Sequence, residues 1–361
     1  MPLDRINFQG LRNLGEVSLR PSRHINLIFG DNGSGKTSLL EGLHILGLAR
    51  SFRTRHLKNA IGHDKQAMTL FGRLEGDPPI PIGVERRRDS DSISMRMAGD
   101  RVERIAQLAE ALPLQLINSD TFRLVEGSPA ARREFLDWGV FHVKHDFFDV
   151  WQRARRALKH RNALLRHDRI DPSTLKPWNA ELARWADRID AMRSDYMTQF
   201  VPIFETTLTE LLGIPDLSLR YYRGWDRNRE ISDILAASAN TDRQMGFTQQ
   251  GPQRADLRLR VGKHPAVEVL SRGQQKLVVS ALKLAQGLLL EQTSNRTCLY
   301  LIDDLAAELD DKHCRGFCHL LEQLNCQTFL TGINQRALNH DWQAETQVER
   351  FHVKHGQLSA G

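Results

Sequence analysis

Residues 30–37, Gly-Asp-Asn-Gly-Ser-Gly-Lys-Thr, constrain this chain more than any other segment. They fit the spacing G-x-x-x-x-G-K-[ST] at Gly30, Gly35, Lys36 and Thr37. An apolar run, INLIF, precedes them, and a helix-patterned run, TSLLEGLHIL, follows. A chance glycine-rich turn would lack that strand–loop–helix setting. The chemistry dictates the spacing. Gly30, Gly33 and Gly35 let backbone N–H groups turn inward around phosphate oxygens. The helix starting near Lys36 offers the positive end of its dipole. Lys36 then reaches β- and γ-phosphates, and Thr37 holds Mg²⁺. The expected nucleotide-contacting set from the loop is Gly30, Asn32, Gly33, Ser34, Gly35, Lys36, Thr37 and Ser38.

Such a cradle needs a carboxylate at the end of another buried strand. CLYLIDD, residues 298–304, supplies one. Asp303 is the expected second Mg²⁺ ligand, and Asp304 the group that orients the attacking water. Lys36, Asp303 and Asp304 are therefore the expected catalytic set. The plainer reading is a pair of strand-end carboxylates capping the next helix.

Periodicity organises the rest. MTLFGRLEG and IPIGVERRR alternate as antiparallel strands, ERIAQLAEAL has helical spacing, and PLQLIN reads as a buried strand. From about Ala130 to Leu212 the helical period dominates. One block runs AARREFLDWGVFHVKHDFFDVWQRARRALKHRNALLR; DPSTLKPW reads as a break; a second block follows, interrupted at Pro202. Beyond Gly251-Pro252, strands and helices alternate again. The expected fold is an α/β head, a mixed sheet with flanking helices, formed by residues 1–128 and 250–361 and split by an inserted helical lobe, an antiparallel arm, at 129–249.

Composition narrows the setting. The chain has 361 residues, 40% of them hydrophobic, and a formal net charge of +6. That is an ordinary globular balance with a mildly basic surface, which suits a polyanionic partner without requiring one. Four cysteines, Cys298, Cys314, Cys318 and Cys326, form no C-x-x-C pair and read as buried thiols of a reducing compartment. MPLDRINFQG lacks the apolar stretch of a signal peptide, and no run approaches a membrane span. A cytoplasmic protein with no membrane role is expected. FHVKH occurs at 141–145 and again at 351–355, but no third ligand completes a metal site in either place.

LSRGQQK, residues 270–276, precedes the carboxylates, and AAELD follows them. This order resembles the ATP-binding-cassette (ABC) superfamily. Within it, FQGLRNL, FGDNGSGKTSLLEGLHIL, ARSFRT, SPAARREFLDW, RALKHRNALLR, LSRGQQK and LIDDLAAELD resemble the RecF family of bacterial recombination mediators, over nearly the whole chain. Transporter cassettes carry a second glycine where this chain has Arg272. The resemblance implies an ABC-type P-loop ATPase head that dimerises on ATP. Ser271, Arg272, Gly273 and Gln274 would read the γ-phosphate held by a second copy, and Asp310 would lie at the same dimer interface. A simple helix cap at Ser271 is compatible with that role. Arg12 and Asn13 match the family's nucleotide side, Arg53 its SFR segment, and Arg132 and Arg133 a structural element between lobes. The family implies DNA repair and replication, homologous recombination and the SOS response in a nucleoid-associated protein. It implies work with RecR and RecO to load RecA onto gapped DNA. An SMC-type chromosome-structural role is the alternative; a transporter cassette is disfavoured.

Departures from the superfamily point to a slow ATPase. Asp304 stands where a glutamate is usual, Thr331 and Gly332 where a histidine is usual, and only Gln115 and Asp120 offer themselves for the glutamine loop. For DNA, WQRARRALKHRNALLRHDR carries Arg153, Arg155, Arg156, Lys159 and Arg161, a helix suited to sequence-independent phosphate contacts. ERRR, residues 85–88, is a second basic candidate. The plainer reading of such charge runs is a solvated or partner-facing surface.

Overall fold

A computed structural model describes residues 2–167, 172–333 and 340–360. They divide into two compact units. The first comprises Met1–Phe122, Glu210–Leu212 and Arg272–Gly361, and the second Arg123–Thr209 and Gly213–Ser271. Among the described residues, no helix is long and apolar enough to cross a membrane.

The first unit opens with β1 (Leu3–Gln9), β2 (Val17–Leu19), β3 (Ile25–Phe29) and α1 (Lys36–Leu48). It continues through β4 (Ala67–Leu74), β5 (Ile80–Arg87), β6 (Ile93–Met97), β7 (Asp100–Arg101), α2 (Ile105–Ala111) and β8 (Leu114–Ile117). The second unit holds α3 (Pro129–Val143), α4 (Phe147–Leu165), most of α5 (Pro172–Leu211), β9 (Leu217–Tyr222), α6 (Ile231–Ala237) and α7 (Ala239–Met245). It closes with β10 (Asp256–Val261), β11 (His264–Pro265) and α8 (Ala266–Val269). The first unit then resumes with α9 (Arg272–Ser294), β12 (Leu299–Ile302), α10 (Leu305–Glu308), α11 (Asp311–Gln323), β13 (Thr328–Gly332), β14 (Val348–Lys354) and β15 (Gln357–Ala360).

Two sheets build the first unit. One is antiparallel, in the order β2-β1-β4-β5-β6-β7. The other runs β15-β14-β3-β13-β12-β8, with β14, β3, β13, β12 and β8 parallel. Its central strands read INLIF, TFLTG and LYLI because strands covered on both faces need no polar alternation. Helix α1 touches strands of both sheets and is buried nearly all round. Gly42 makes that approach possible: a Cβ there would lie 2.4 Å from the Phe8 ring. The helix gives up about 1 kcal/mol of intrinsic propensity at that position.

The second unit departs from the expected boundaries and breaks. Its residues extend past 249 because β9 and β10 pair over six residues, from Leu217↔Val261 to Tyr222↔Asp256. The first helical block is two helices, since Lys144 is extended (φ −117°, ψ 103°) and its ammonium pairs with Asp195. The expected break at 171–178 is instead largely helix: α5 runs 40 residues through Pro177 and Pro202. Residue 171 lies outside the described residues. Each proline removes one helical hydrogen bond. Burial of Trp185, Ile189, Tyr196, Phe200 and Phe204 along one face outweighs that loss. Tyr196, Phe200 and Phe204 stack at 5.5 and 6.2 Å straight across Pro202.

Candidate nucleotide-binding site

Parallel pairing brings the carboxyl ends of β3, β13, β12 and β8 to one edge, where open α/β sheets place their ligands. Each strand releases a piece of the site there. The loop of residues 30–35 leaves β3, Thr331 sits at the end of β13, Asp303 and Asp304 follow β12, and Ser119 follows β8. With Asn13, Asn32, Lys36, Thr37, Ser38, Arg53 and Glu308 they line a cleft of about 510 Å³.

The cradle is shaped by its glycines. Gly30 has φ +154°, and a Cβ there would lie 2.2 Å from the Val353 carbonyl oxygen. Lys36 Nζ donates to the Gly30 and Asp31 carbonyls at 2.7 and 3.0 Å, curling over its own loop. Ser34 Oγ is buried with no hydrogen-bond partner among the described residues. A buried donor without a partner, an ammonium and the N-terminus of a 13-residue helix together make a cavity that fits a polyphosphate.

Thr37 Oγ1 stands 3.1 Å from both carboxylate oxygens of Asp303. Hard oxygen donors of this kind fit Mg²⁺. Thr331 Oγ1 donates to Asp303 Oδ1 at 2.7 Å and accepts the Asp304 amide at 2.9 Å. Asp304 has φ +55° and ψ +49°, a left-handed conformation that strains a non-glycine residue. Burial pushes its carboxyl pKa up, and neighbouring Asp303 adds to the rise. In the sequence Thr331 stands out only as the residue where a histidine is usual. Its role needs the β12–β13 register, which no local pattern encodes.

Glu41 was missed entirely. Its side chain is fully buried in α1, yet it accepts from Arg12 Nε and Nη2 (2.9 and 2.8 Å), Ser51 Oγ (2.5 Å) and Arg53 Nη1 (3.2 Å). Burial opposes its ionisation, but the hydrogen bonds from Arg12 and Ser51 and the two guanidinium charges leave its pKa below the ordinary value. A carboxylate five residues beyond Lys36, among the apolar positions of α1, is the available signal. Arg12 is thus occupied by Glu41 and does not line the cleft, whereas Arg53 does. Asn13 lines it too, bonding the Gly33 carbonyl (3.0 Å) and Ser38 Oγ (3.1 Å). His44, one turn further along α1, bonds the Arg50 carbonyl through Nδ1 at 2.7 Å and packs edge-on against Phe52.

Other expected residues lie elsewhere. Gln115 is a core residue: it donates to Gln286 Oε1 at 2.8 Å and accepts from Lys283 at 2.7 Å, so it is no glutamine-loop residue. Its strand passes Ser119 to the cleft instead. Arg272 and Gly273 are exposed and Gln274 half-buried at the start of α9; none of the three lines the cleft. Ser271 is exposed just before them. Lys276, two residues after Gln274, reaches back to Glu308 on the cleft wall at 2.6 Å. Asp310 caps α11, accepting the His313 amide at 3.0 Å, and its exposed carboxylate pairs with the His313 ring at 2.7 Å.

The basic runs are sorted by helical phase. Arg153, Arg155, Arg156 and Lys159 are exposed. Arg161 is fully buried, pairing with Asp242 at 2.8 Å and donating to Thr248 and Asn179, so it cannot contact DNA. Ala154, Ala157, Arg161 and Leu165 form the buried stripe, a spacing that was readable in the sequence. In ERRR, Arg86 is buried and bonds the Ser92 carbonyl, Arg87 pairs with Asp89, and Arg88 caps carbonyls of residues 61–65. Arg132 clamps Asp256, joining α3 to β10 inside the second unit.

Comparison with known proteins bears on this arrangement. The family model described as "RecF/RecN/SMC N terminal domain" matches residues 2–358. The chain is 65% identical over 358 residues to the DNA replication and repair protein RecF of Chromohalobacter salexigens, with 99% of each chain covered. It is 52% identical over 361 residues to that of Stutzerimonas stutzeri, covering 99% of this chain and 97% of the relative. A solved structure described as the recombination mediator protein RecF-ATP in the RecFOR pathway superposes with TM-score 0.86 at 21% identity, covering 99% of this chain and 97% of that one. An Smc head bound to the C-winged helix domain of ScpA gives TM-score 0.62 at 15% identity over 100% and 97%. At such identities these likenesses speak for the fold alone.

Proposed function

The chain belongs to the RecF family, and on that premise we propose that it is an ATP-binding and ATP-hydrolysing DNA replication and repair protein in which ATP closes two copies into a clamp. The observation that carries the reading is a division of labour. The cradle and carboxylates converge on one cleft, while Arg272, Gly273 and Gln274 stand outside it on the same unit. A γ-phosphate held in the cleft of one copy then meets Ser271, Gly273 and Gln274 of another.

The chain's own residues divide the work. Backbone amides of the loop and Lys36 hold the phosphates, Asn13 and Arg53 line the nucleotide's flank, and Asp304 orients and deprotonates the attacking water. Thr37 and Asp303 would hold Mg²⁺, which would neutralise negative charge on the phosphates. Asp304 is one methylene shorter than glutamate, and Thr331 carries no titratable group. Both favour turnover below the ~10 s⁻¹ of a median enzyme. Arg153, Arg155, Arg156 and Lys159 supply sequence-independent contacts to DNA, and RecR and RecO are the partners through which RecA is loaded, at the nucleoid. An architectural role of the SMC type needs arms of hundreds of residues; α5 has 40.

Light scattering tests the clamp, with no DNA present. Mass should double with ATP and Mg²⁺, not with ADP, and Ser271→Arg should stay monomeric while binding nucleotide normally. A wild type that stays monomeric with ATP, or a variant that dimerises, rejects it.

A further inference from the structure

Strands β9 and β10 pair antiparallel with Arg220 directly opposite Arg258 and Arg260 opposite Ser218. Leu219, Tyr221, Leu257 and Leu259 alternate inward and are buried, so the three arginines share the outer face, and all three are exposed. Arg258 lies over the Tyr222 ring, 4.2 Å from its centroid, which keeps the guanidinium on that face. The carboxylate in the same register, Asp256, is consumed by Arg132. Among the described residues none of the three forms an ion pair within 4.0 Å. Like charges placed opposite each other destabilise a sheet. The Tyr222 contact offsets only part of that repulsion, and Lys263, exposed at the β10–β11 turn, adds to it.

We propose that the outer face of β9 and β10, through Arg220, Arg258 and Arg260, is a docking surface for the sugar–phosphate backbone of DNA. The inference rests on the DNA-binding reading above and places a contact surface apart from α4. Charge complementarity selects the occupant, because guanidinium forks bind phosphate oxygens bidentately. Arg258 and Arg260 recur about 6.8 Å apart along their strand. That spacing is comparable to the through-space separation of neighbouring phosphates on one DNA strand, which the helical path sets well above the ~3.4 Å axial rise. The face offers no base-reading pattern, so binding there is sequence-independent and salt-sensitive.

The test is DNA affinity of the full chain with ATP and Mg²⁺, using a labelled duplex with a single-stranded tail, at salt from about 50 to 200 mM. The triple variant R220Q/R258Q/R260Q should lower the steepness of log K against log salt by about 2 to 3, at ~0.9 per lost phosphate contact. The corresponding triple lysine variant should keep the slope. Relief of the repulsion should leave the glutamine variant melting at the same or a higher temperature, with unchanged ATP affinity. If the triple variant melts too low to assay, Arg260→Gln alone should lower the slope by about one. Should wild type bind DNA and the glutamine variants keep its slope, this surface is refuted while the DNA-binding reading stands. Should wild type with ATP bind no DNA, that reading fails and this inference with it.

Discussion

Thr331 holds Asp303 by a 2.7 Å hydrogen bond from its hydroxyl, and the same oxygen receives the amide of Asp304. One buried side chain from β13 therefore fixes both residues that follow β12. Thr331→Val keeps the volume and removes both bonds. The expected result is kcat reduced about tenfold with nucleotide affinity nearly unchanged, because the lost contacts orient the carboxylates rather than grip the phosphates. Stability should fall by about 1–3 kcal/mol, the cost of a buried amide left unpaired. Thr331→Ser should recover most of the rate. Equal losses in Kd and kcat would show Thr331 to be part of the phosphate grip instead.

Asp304 should behave as a base. Asp304→Asn is expected to cut ATP hydrolysis by about 10²–10⁴-fold while ATP still binds and still drives dimerisation. Burial and the Asp303 carboxylate raise its pKa in the metal-free site, a rise that Mg²⁺ held at Asp303 would oppose. Single-turnover rates give the answer, and an asparagine variant with wild-type turnover removes Asp304 from the mechanism.

His44 gives the fold a pH dependence. Burial lowers its pKa from 6.5 to about 4. Between those values the unfolded chain binds a proton that the folded chain refuses. Stability is therefore fully present above pH 6.5 and is lost as pH falls toward about 4, by up to about 3 kcal/mol. Urea midpoints at pH 7 and pH 5 should differ in wild type and differ less in His44→Gln. Identical pH dependence in the two proteins would assign the effect to other groups.

Arg161 is a stability residue. Arg161→Gln leaves Asp242 buried without its cation, and breaking such a pair costs about 3–5 kcal/mol. Arg153→Gln, on the exposed face of the same helix, should change stability by less than about 0.5 kcal/mol. Thermal melts separate the two, and a mild Arg161 variant would mean the pair is relieved by water.

What the sequence disclosed follows from how far each interaction reaches along the chain. The cradle was legible because strand, glycines, Lys36 and Thr37 are contiguous, and each choice of residue answers one local demand. Asp303 was legible because a buried strand ending in two carboxylates is also a local pattern. Glu41 and Thr331 were not. One acts through Arg12 and Arg53 on flanking loops, the other through strand register. Pro177 and Pro202 misled for the opposite reason: their local rule is sound, but a buried aromatic ladder overrides it. Arg161 misleads because its charge is conspicuous in the sequence, whereas its phase with Ala154, Ala157 and Leu165 on the buried stripe is not.

The order of strands in the parallel sheet has a consequence for how the chain comes into being. Strand β3, which launches the phosphate loop, is flanked by β13 and β14, made some 300 residues later. During synthesis the INLIF segment emerges early with both of its hydrogen-bonding edges bare. It keeps them bare until β13 and β14 have been made. Apolar strands with open edges are templates for wrong partners. The nascent chain must therefore be shielded, or folded around α1 and the antiparallel sheet, for most of its translation, and a message truncated before β13 should yield an insoluble product.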